Sequence, residues 1–221
     1  MPPAPHSGLS LPAQVANELR EAIIAGRLLP GTALAEVELA AAYSTSRNTL
    51  REALHQLSRE GLASYVRNKG VEVRRLGVAE VRDLFKVRRT LELQALRSGA
   101  PLREEQAARM ADAMDAAELA QGREDWRAFG THSLRFHQCI VSLLASPLFD
   151  QFFANIAAQL RLAFAMAPDE ERFQRPWVQR DRHLHALLGA EQPHEAAYAM
   201  ANYLDDSERL LLELLSTRPS P

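Results

Sequence analysis

The chain has 221 residues, 47% of them hydrophobic, a formal net charge of −2 and a single cysteine, Cys139. That is enough to bury one large core or two modest ones; it excludes an internal disulfide, a cysteine-cluster zinc site and a polycationic nucleic-acid coat. The apolar runs stop short of the roughly 18–20 residues that a membrane span needs, and Met1-Pro2-Pro3-Ala4-Pro5 lacks the basic-then-apolar order of a signal peptide, so a reducing, cytoplasmic setting is expected.

Ala (36 residues) and Leu (33) dominate while Gly is only 10, which favours helix nearly throughout. Residues 1–10, rich in Pro, Ser and Gly, are expected to form a disordered arm. From Leu11 the apolar positions Leu11, Val15, Leu19 and Ile23 fall at helical spacing, up to Gly26. Leu29-Pro30-Gly31 reads as a turn. A short helix follows over 36–43, and Ser44-Thr45-Ser46 offers hydroxyl caps for a helix from Arg47 to Glu60 that buries Leu50, Ala53, Leu54 and Leu57. After Gly61 the period shortens: Leu62, Ser64, Val66 and then Val71, Val73 predict two strands around Arg67-Asn68-Lys69-Gly70. Everything beyond Gly77 reads as helix, in about six segments near 78–98, 103–121, 124–145, 148–167, 177–190 and 194–216. Short connections make them antiparallel neighbours. The expected fold is therefore mainly α. Residues 11–76 form a winged helix-turn-helix, three helices and a small β-hairpin, and residues 77–221 an all-helical antiparallel bundle.

Charge supports the division. Residues 1–76 carry 9 cationic and 7 anionic side chains, a net of +2, and residues 77–221 carry 17 and 21, a net of −4. Residues 47–75 alone reach +4, from 7 cations against 3 anions. The helix from Arg47 begins with Ser46, Arg47, Asn48, Thr49 and Arg51 on the side away from its leucines. Arg can fork to guanine or grip phosphate, Asn can read adenine, and hydroxyls at a helix N-terminus suit phosphate. Arg67 and Lys69 put two cations at the hairpin tip, beside Gly70, where the backbone can approach a groove closely. The plainer reading of Arg47 and Arg51 is a solvated helix face.

These residues also carry a resemblance. Gly26-Arg27-Leu28-x-Pro30-Gly31, Leu34-x-Glu36-x-Glu38-Leu39-Ala40, Ser46-Arg47-Asn48-Thr49-Leu50-Arg51-Glu52-Ala53-Leu54, Leu57-x-x-Glu60-Gly61-Leu62, Gly70 and Val73 together resemble the GntR family of bacterial transcription regulators. The resemblance implies that Ser46, Arg47, Thr49, Arg51, Lys69 and Gly70 meet DNA, and that the protein is a homodimer on a near-palindromic operator. Val37 stands where some members place a DNA-reaching Arg. The remainder, through Val87-Arg88-x-x-Leu91-Glu92, Phe136-His137, a His-bearing segment at 181–188 and an Ala-rich last helix, resembles the effector-binding FCD domain of the FadR branch. Many members hold a divalent metal there, on an Asp one turn before the first histidine, that histidine, a second His further on and a third on the last helix. At those positions this chain has Ser133, His137, His183 or His185, and Tyr203.

His137 and His183 are thus the candidate ligands for Zn, Ni or Mn, a weak set without a carboxylate. The alternative is a polar pocket of Arg88, Ser133, His137, His183 and Tyr203 that binds an effector directly, with Arg88 clamping a small carboxylate. Arg88 could instead simply pair with Glu92, four residues on. The chain is expected to be a ligand-responsive regulator, a repressor and not an enzyme. An architectural DNA-binding dimer without effector, and last a metal-dependent enzyme of the bundle, are the competing readings.

Overall fold

The computed structural model describes residues 9–216. The expected arm at 1–10 lies mostly outside them. The chain divides into two compact units, one up to Arg75 and one from Leu76.

In the first unit, α1 (Leu11–Ile24) carries Pro12 in its first turn, where a missing N–H costs nothing, and buries Val15, Ala16, Leu19, Ala22 and Ile23. α2 (Glu36–Ala42) and α3 (Arg47–Arg59) follow, then β1 (Ala63–Val66) and β2 (Gly70–Val73). α1 and α2 both pack on α3. The strands pair antiparallel, with Ala63 opposite Val73 and Val66 opposite Gly70. An extension of this small sheet was not foreseen. Gly31 N–H donates to Val73 O at 2.7 Å, Leu34 N–H to Val71 O at 2.8 Å, and Ala33 bridges to Glu72. The segment after the Pro30-Gly31 turn therefore acts as a third edge that fixes the hairpin. Gly31 is required there because its φ of +87° is left-handed, a conformation that side-chain-bearing residues rarely adopt.

The second unit holds α4 (Val78–Arg97), α5 (Glu104–Gly122), α6 (Trp126–Val141), a single 3₁₀ turn (Ser142–Leu144), α7 (Pro147–Ala165), α8 (Glu170–Gln174), α9 (Trp177–Gly189) and α10 (Pro193–Ser216). α6 is the central helix, in contact with α4, α5, α7 and α8, while α10 lies along α4 and α9. Leu91, Val141 and Phe153 join α4, α6 and α7 in one apolar cluster. Two expectations need correcting. The helix foreseen over 124–145 stops at Val141 and tightens to the 3₁₀ turn, which Ala145 ends in the left-handed region at φ +51°. The stretch read as a plain connection after Pro168 contains α8, capped by the Asp169 side chain on Arg172 N–H at 2.9 Å. Among the described residues no helix is long and apolar enough to cross a membrane.

Candidate nucleic-acid interface and bundle interior

α3 is amphipathic. Leu50, Ala53, Leu54 and Leu57 are buried, which leaves Arg47, Asn48 and Arg51 exposed on the other side. Ser46 caps the helix: its Oγ accepts from Thr49 N–H at 3.1 Å and lies 2.9 Å from Thr49 Oγ1. Both hydroxyls are thus already engaged within the cap, and together they pin the first turn. Arg51 donates from Nε to the Glu36 carboxylate at 3.0 Å. At the hairpin tip Arg67, Asn68, Lys69 and Gly70 are all exposed, and Asn68 takes a positive φ of 64° to close the turn. Val37, on the first turn of α2, is 59% exposed and has no polar group to offer.

In the other unit, four helices bring polar side chains into an apolar interior. Arg88 and Glu92 from α4, Ser133 and His137 from α6, Asp181 from α9 and Tyr203 from α10 are all buried. Arg88 Nε donates to Glu92 Oε1 at 2.8 Å, and Glu92 Oε2 meets His137 Nδ1 at 2.5 Å. Arg88 Nη2 also lies 3.2 Å from that nitrogen. His137 Nε2 faces Asp181 Oδ1 at 3.6 Å, beyond hydrogen-bond reach, and neither Asp181 oxygen has a donor among the described residues. The rings of His137, Tyr203 and Trp177 stack in sequence at 4.9 and 4.8 Å between centroids.

These contacts set the protonation states. Burial pulls Glu92 upward, but the charges of Arg88 and His137 outweigh it and hold the carboxyl below its ordinary value. Burial pulls His137 downward, and Glu92 and Asp181 outweigh it and hold the imidazole up. Burial, with Asp181 beside it, pushes the Tyr203 phenol well above its usual range, so it stays protonated.

The structure thus brings together Arg88, Ser133, His137 and Tyr203, but not His183. His183 is exposed on α9, and His185, half-buried, packs edge-on to Phe136 at 6.0 Å. The buried stripe of α9 is Trp177, Asp181, Leu184 and Leu188, and Asp181 fills the place expected of a histidine. A carboxylate lying on an otherwise apolar stripe was the signal available in the sequence. Arg88 is likewise not a free clamp, because Glu92 holds it.

The resemblance implies a metal here, and the donor set does not fit one. His137 Nε2 and Asp181 are two donors, Ser133 and Tyr203 are neutral hydroxyls, and Glu92 occupies the far side of the imidazole. Among the described residues no group of three or more His, Cys, Asp or Glu is placed to hold a metal ion. A separate cleft of about 400 Å³, lined by Arg109, His132, Arg135, Cys139 and Asp150 among others, includes none of the expected effector residues.

A winged helix-turn-helix followed by an all-helical bundle defines a DNA-binding transcriptional regulator of two units. Comparison with known proteins makes this specific. Residues 11–73 match the family described as bacterial regulatory proteins, gntR family, and residues 83–206 match the FCD domain. An HTH-type transcriptional regulator in the TAR-I ttuE-ttuC' intergenic region of Agrobacterium vitis is 30% identical over 133 residues, 58% of this chain and 78% of that protein. The HTH-type transcriptional repressor RspR of Escherichia coli is 26% identical over 146 residues, 66% of this chain and 64% of that one. A GntR regulator structure from Rhodococcus sp. RHA1 superposes with a TM-score of 0.87 at 32% identity, over 93% of this chain and 99% of that one. The chain belongs to the GntR family of transcriptional regulators, with an FCD domain as its second unit. The family is one of DNA-binding regulators and not of enzymes.

Proposed function

We propose that the chain is a cytoplasmic, ligand-responsive repressor that binds a near-palindromic operator as a homodimer. Residues 11–76 would serve as the DNA-binding unit and residues 77–221 as the effector-binding and dimerisation unit. The observation that carries the reading is α3: one face wholly buried, the other presenting Arg47, Asn48 and Arg51 beyond a capped N-terminus. In this reading that face enters the major groove. Ser46 and Thr49 set the helix end against phosphate, and Arg67, Lys69 and Gly70 bring the wing to the neighbouring groove. Dimerisation is supported by exposed Leu148, Phe149 and Phe152 on the first turns of α7. The effector acts at the buried cluster of Arg88, Ser133, His137, Asp181 and Tyr203, where two carboxylate oxygens without donors support a ligand that brings hydrogen-bond donors. A plain carboxylate, the class first expected, would find Arg88 already neutralised by Glu92.

Arg47→Ala tests the interface. Binding to the intergenic DNA beside the protein's own gene should fall at least about tenfold, measured by fluorescence anisotropy against a random duplex. Unchanged binding would remove α3 from the interface. A second reading, an architectural dimer without effector, is favoured by one observation, the mutual pairing of Arg88, Glu92 and His137. Thermal-shift screening with organic acids and amines separates the two, since a ligand of the native state raises the melting temperature.

A further inference from the structure

The two arginines of α3 stand in different electrical settings. Arg47 is exposed and makes no ion pair among the described residues. Arg51 donates from Nε to both oxygens of Glu36, at 3.0 and 3.3 Å, so the first residue of α2 is tied to the second turn of α3. Its Nη1 and Nη2 make no hydrogen bond among the described residues, and its side chain is 58% exposed. Tyr65 on β1 lies close enough to feel both charges. Burial raises its phenol first, Glu36 raises it further and Arg51 lowers it. The Tyr65 ring in turn packs on His55, one turn beyond Arg51 on α3, at 5.1 Å.

We propose that Glu36 is a positioning residue that makes Arg51 a reader of a guanine edge and not a grip on phosphate. The inference rests on α3 entering the major groove as proposed above. With Nε held, the two terminal nitrogens of the guanidinium remain, and their planar spacing matches O6 and N7 of guanine. Glu36 also places a negative charge 3.0 Å from the guanidinium. A phosphate docking on the same group would bring a second anion beside the first and be repelled, whereas the guanine edge is uncharged. The tether removes side-chain freedom before binding, which lowers the ordering cost of a precise contact. Arg67 and Lys69, on the wing, have no such tether among the described residues and suit the phosphates.

The test is selection from a randomised duplex pool by the full chain, with wild type, Glu36→Gln, Arg51→Ala and the double variant. Wild type should select a guanine at one position of each half-site. Glu36→Gln should lower that preference about tenfold. It should also raise affinity for random duplex and steepen the plot of log K against log salt by about one, as the released Arg51 meets a phosphate. Arg51→Ala should lose the same guanine, and adding Glu36→Gln to it should change nothing more at that position. Glu36→Asp, which keeps the carboxylate, should retain part of the preference. If Glu36→Gln keeps the guanine, or weakens all sequences equally, the tether is only structural and the proposal fails. If Arg51→Ala leaves the selected site intact, the placement of Arg51 against DNA fails instead, and the proposal goes with it.

Discussion

Arg88, Glu92 and His137 sit among buried side chains, so each charge is held by the others or strands them. Removing one partner of a buried pair costs about 3–5 kcal/mol, because the remaining charge keeps its desolvation penalty. Glu92→Gln is expected to lower stability by that amount, read as a lower urea midpoint; an unchanged midpoint would mean that Arg88 finds another partner. The pH dependence has two limbs. Glu92 is held below its reference of 4.5, so its contribution is complete above that value and is lost as pH falls through the lower folded value. His137 is held above its reference of 6.5, so its contribution is complete below that value and is lost as pH rises through the higher folded one. The cluster therefore stabilises most between 4.5 and 6.5. His137→Asn should flatten the alkaline limb of a melting-temperature profile and leave the acid limb of Glu92, whose carboxyl Arg88 still holds down. At this scale the sequence was legible in part. His137 stands out beside Phe136 on an apolar helix face, and Arg88 pairs with Glu92 at the spacing of one helical turn. Asp181 was hidden by its neighbours, because three polar residues surround it and the two nearby histidines drew the expectation one face away.

Helices with continuous apolar stripes could be read to within a few residues, because the 3.6-residue period repeats over several turns and glycine or proline marks the ends. α8 could not. Five residues carry no period, and Asp169-Glu170-Glu171-Arg172 looks like a solvated connection. What holds it is tertiary: Phe173 and Gln174 are buried, and Glu170 accepts from Arg161 Nη1 at 2.7 Å. Its seat against α6 depends on Gly130. A Cβ there would press on the Gln174 amide and stand 3.0 Å from Arg161 Nη1, both of them buried side chains. Gly130→Ala, although favourable for helix propensity, is therefore expected to destabilise the protein by roughly 1–3 kcal/mol through overpacking. Calorimetry checks it, and a rise in melting temperature would mean that α8 yields at no cost. The segment 31–34 was missed for a related reason. Its pairing with β2 is a long-range backbone contact, and Thr32-Ala33-Leu34 carries no alternation of its own.

For the whole molecule, a net charge of −2 says little about DNA, since residues 47–75 carry +4 of it and the rest carries −6. In the proposed reading a few cations placed by the helix-turn-helix and its wing decide the contact, and each reading head would span only a few base pairs. A single head on one half-site gains little specificity over the many competing sites of a genome. Two heads related by a two-fold axis gain more only if both half-sites lie on the same side of the duplex, about 10–10.5 base pairs apart or a multiple of that. The dimer reading thus has a geometric consequence that does not depend on the effector. Inserting about 5 base pairs between the half-sites of a selected operator turns one of them to the opposite side of the DNA. Affinity should then fall close to that of an isolated half-site, and a second insertion of about 5 should restore part of it. Anisotropy titrations on the three duplexes at one salt concentration measure this, because the phosphate contribution is common to all of them. If all three bind equally, the heads act independently. A loss that is not recovered at the longer spacing would instead mean that the second unit holds the two heads at one fixed separation.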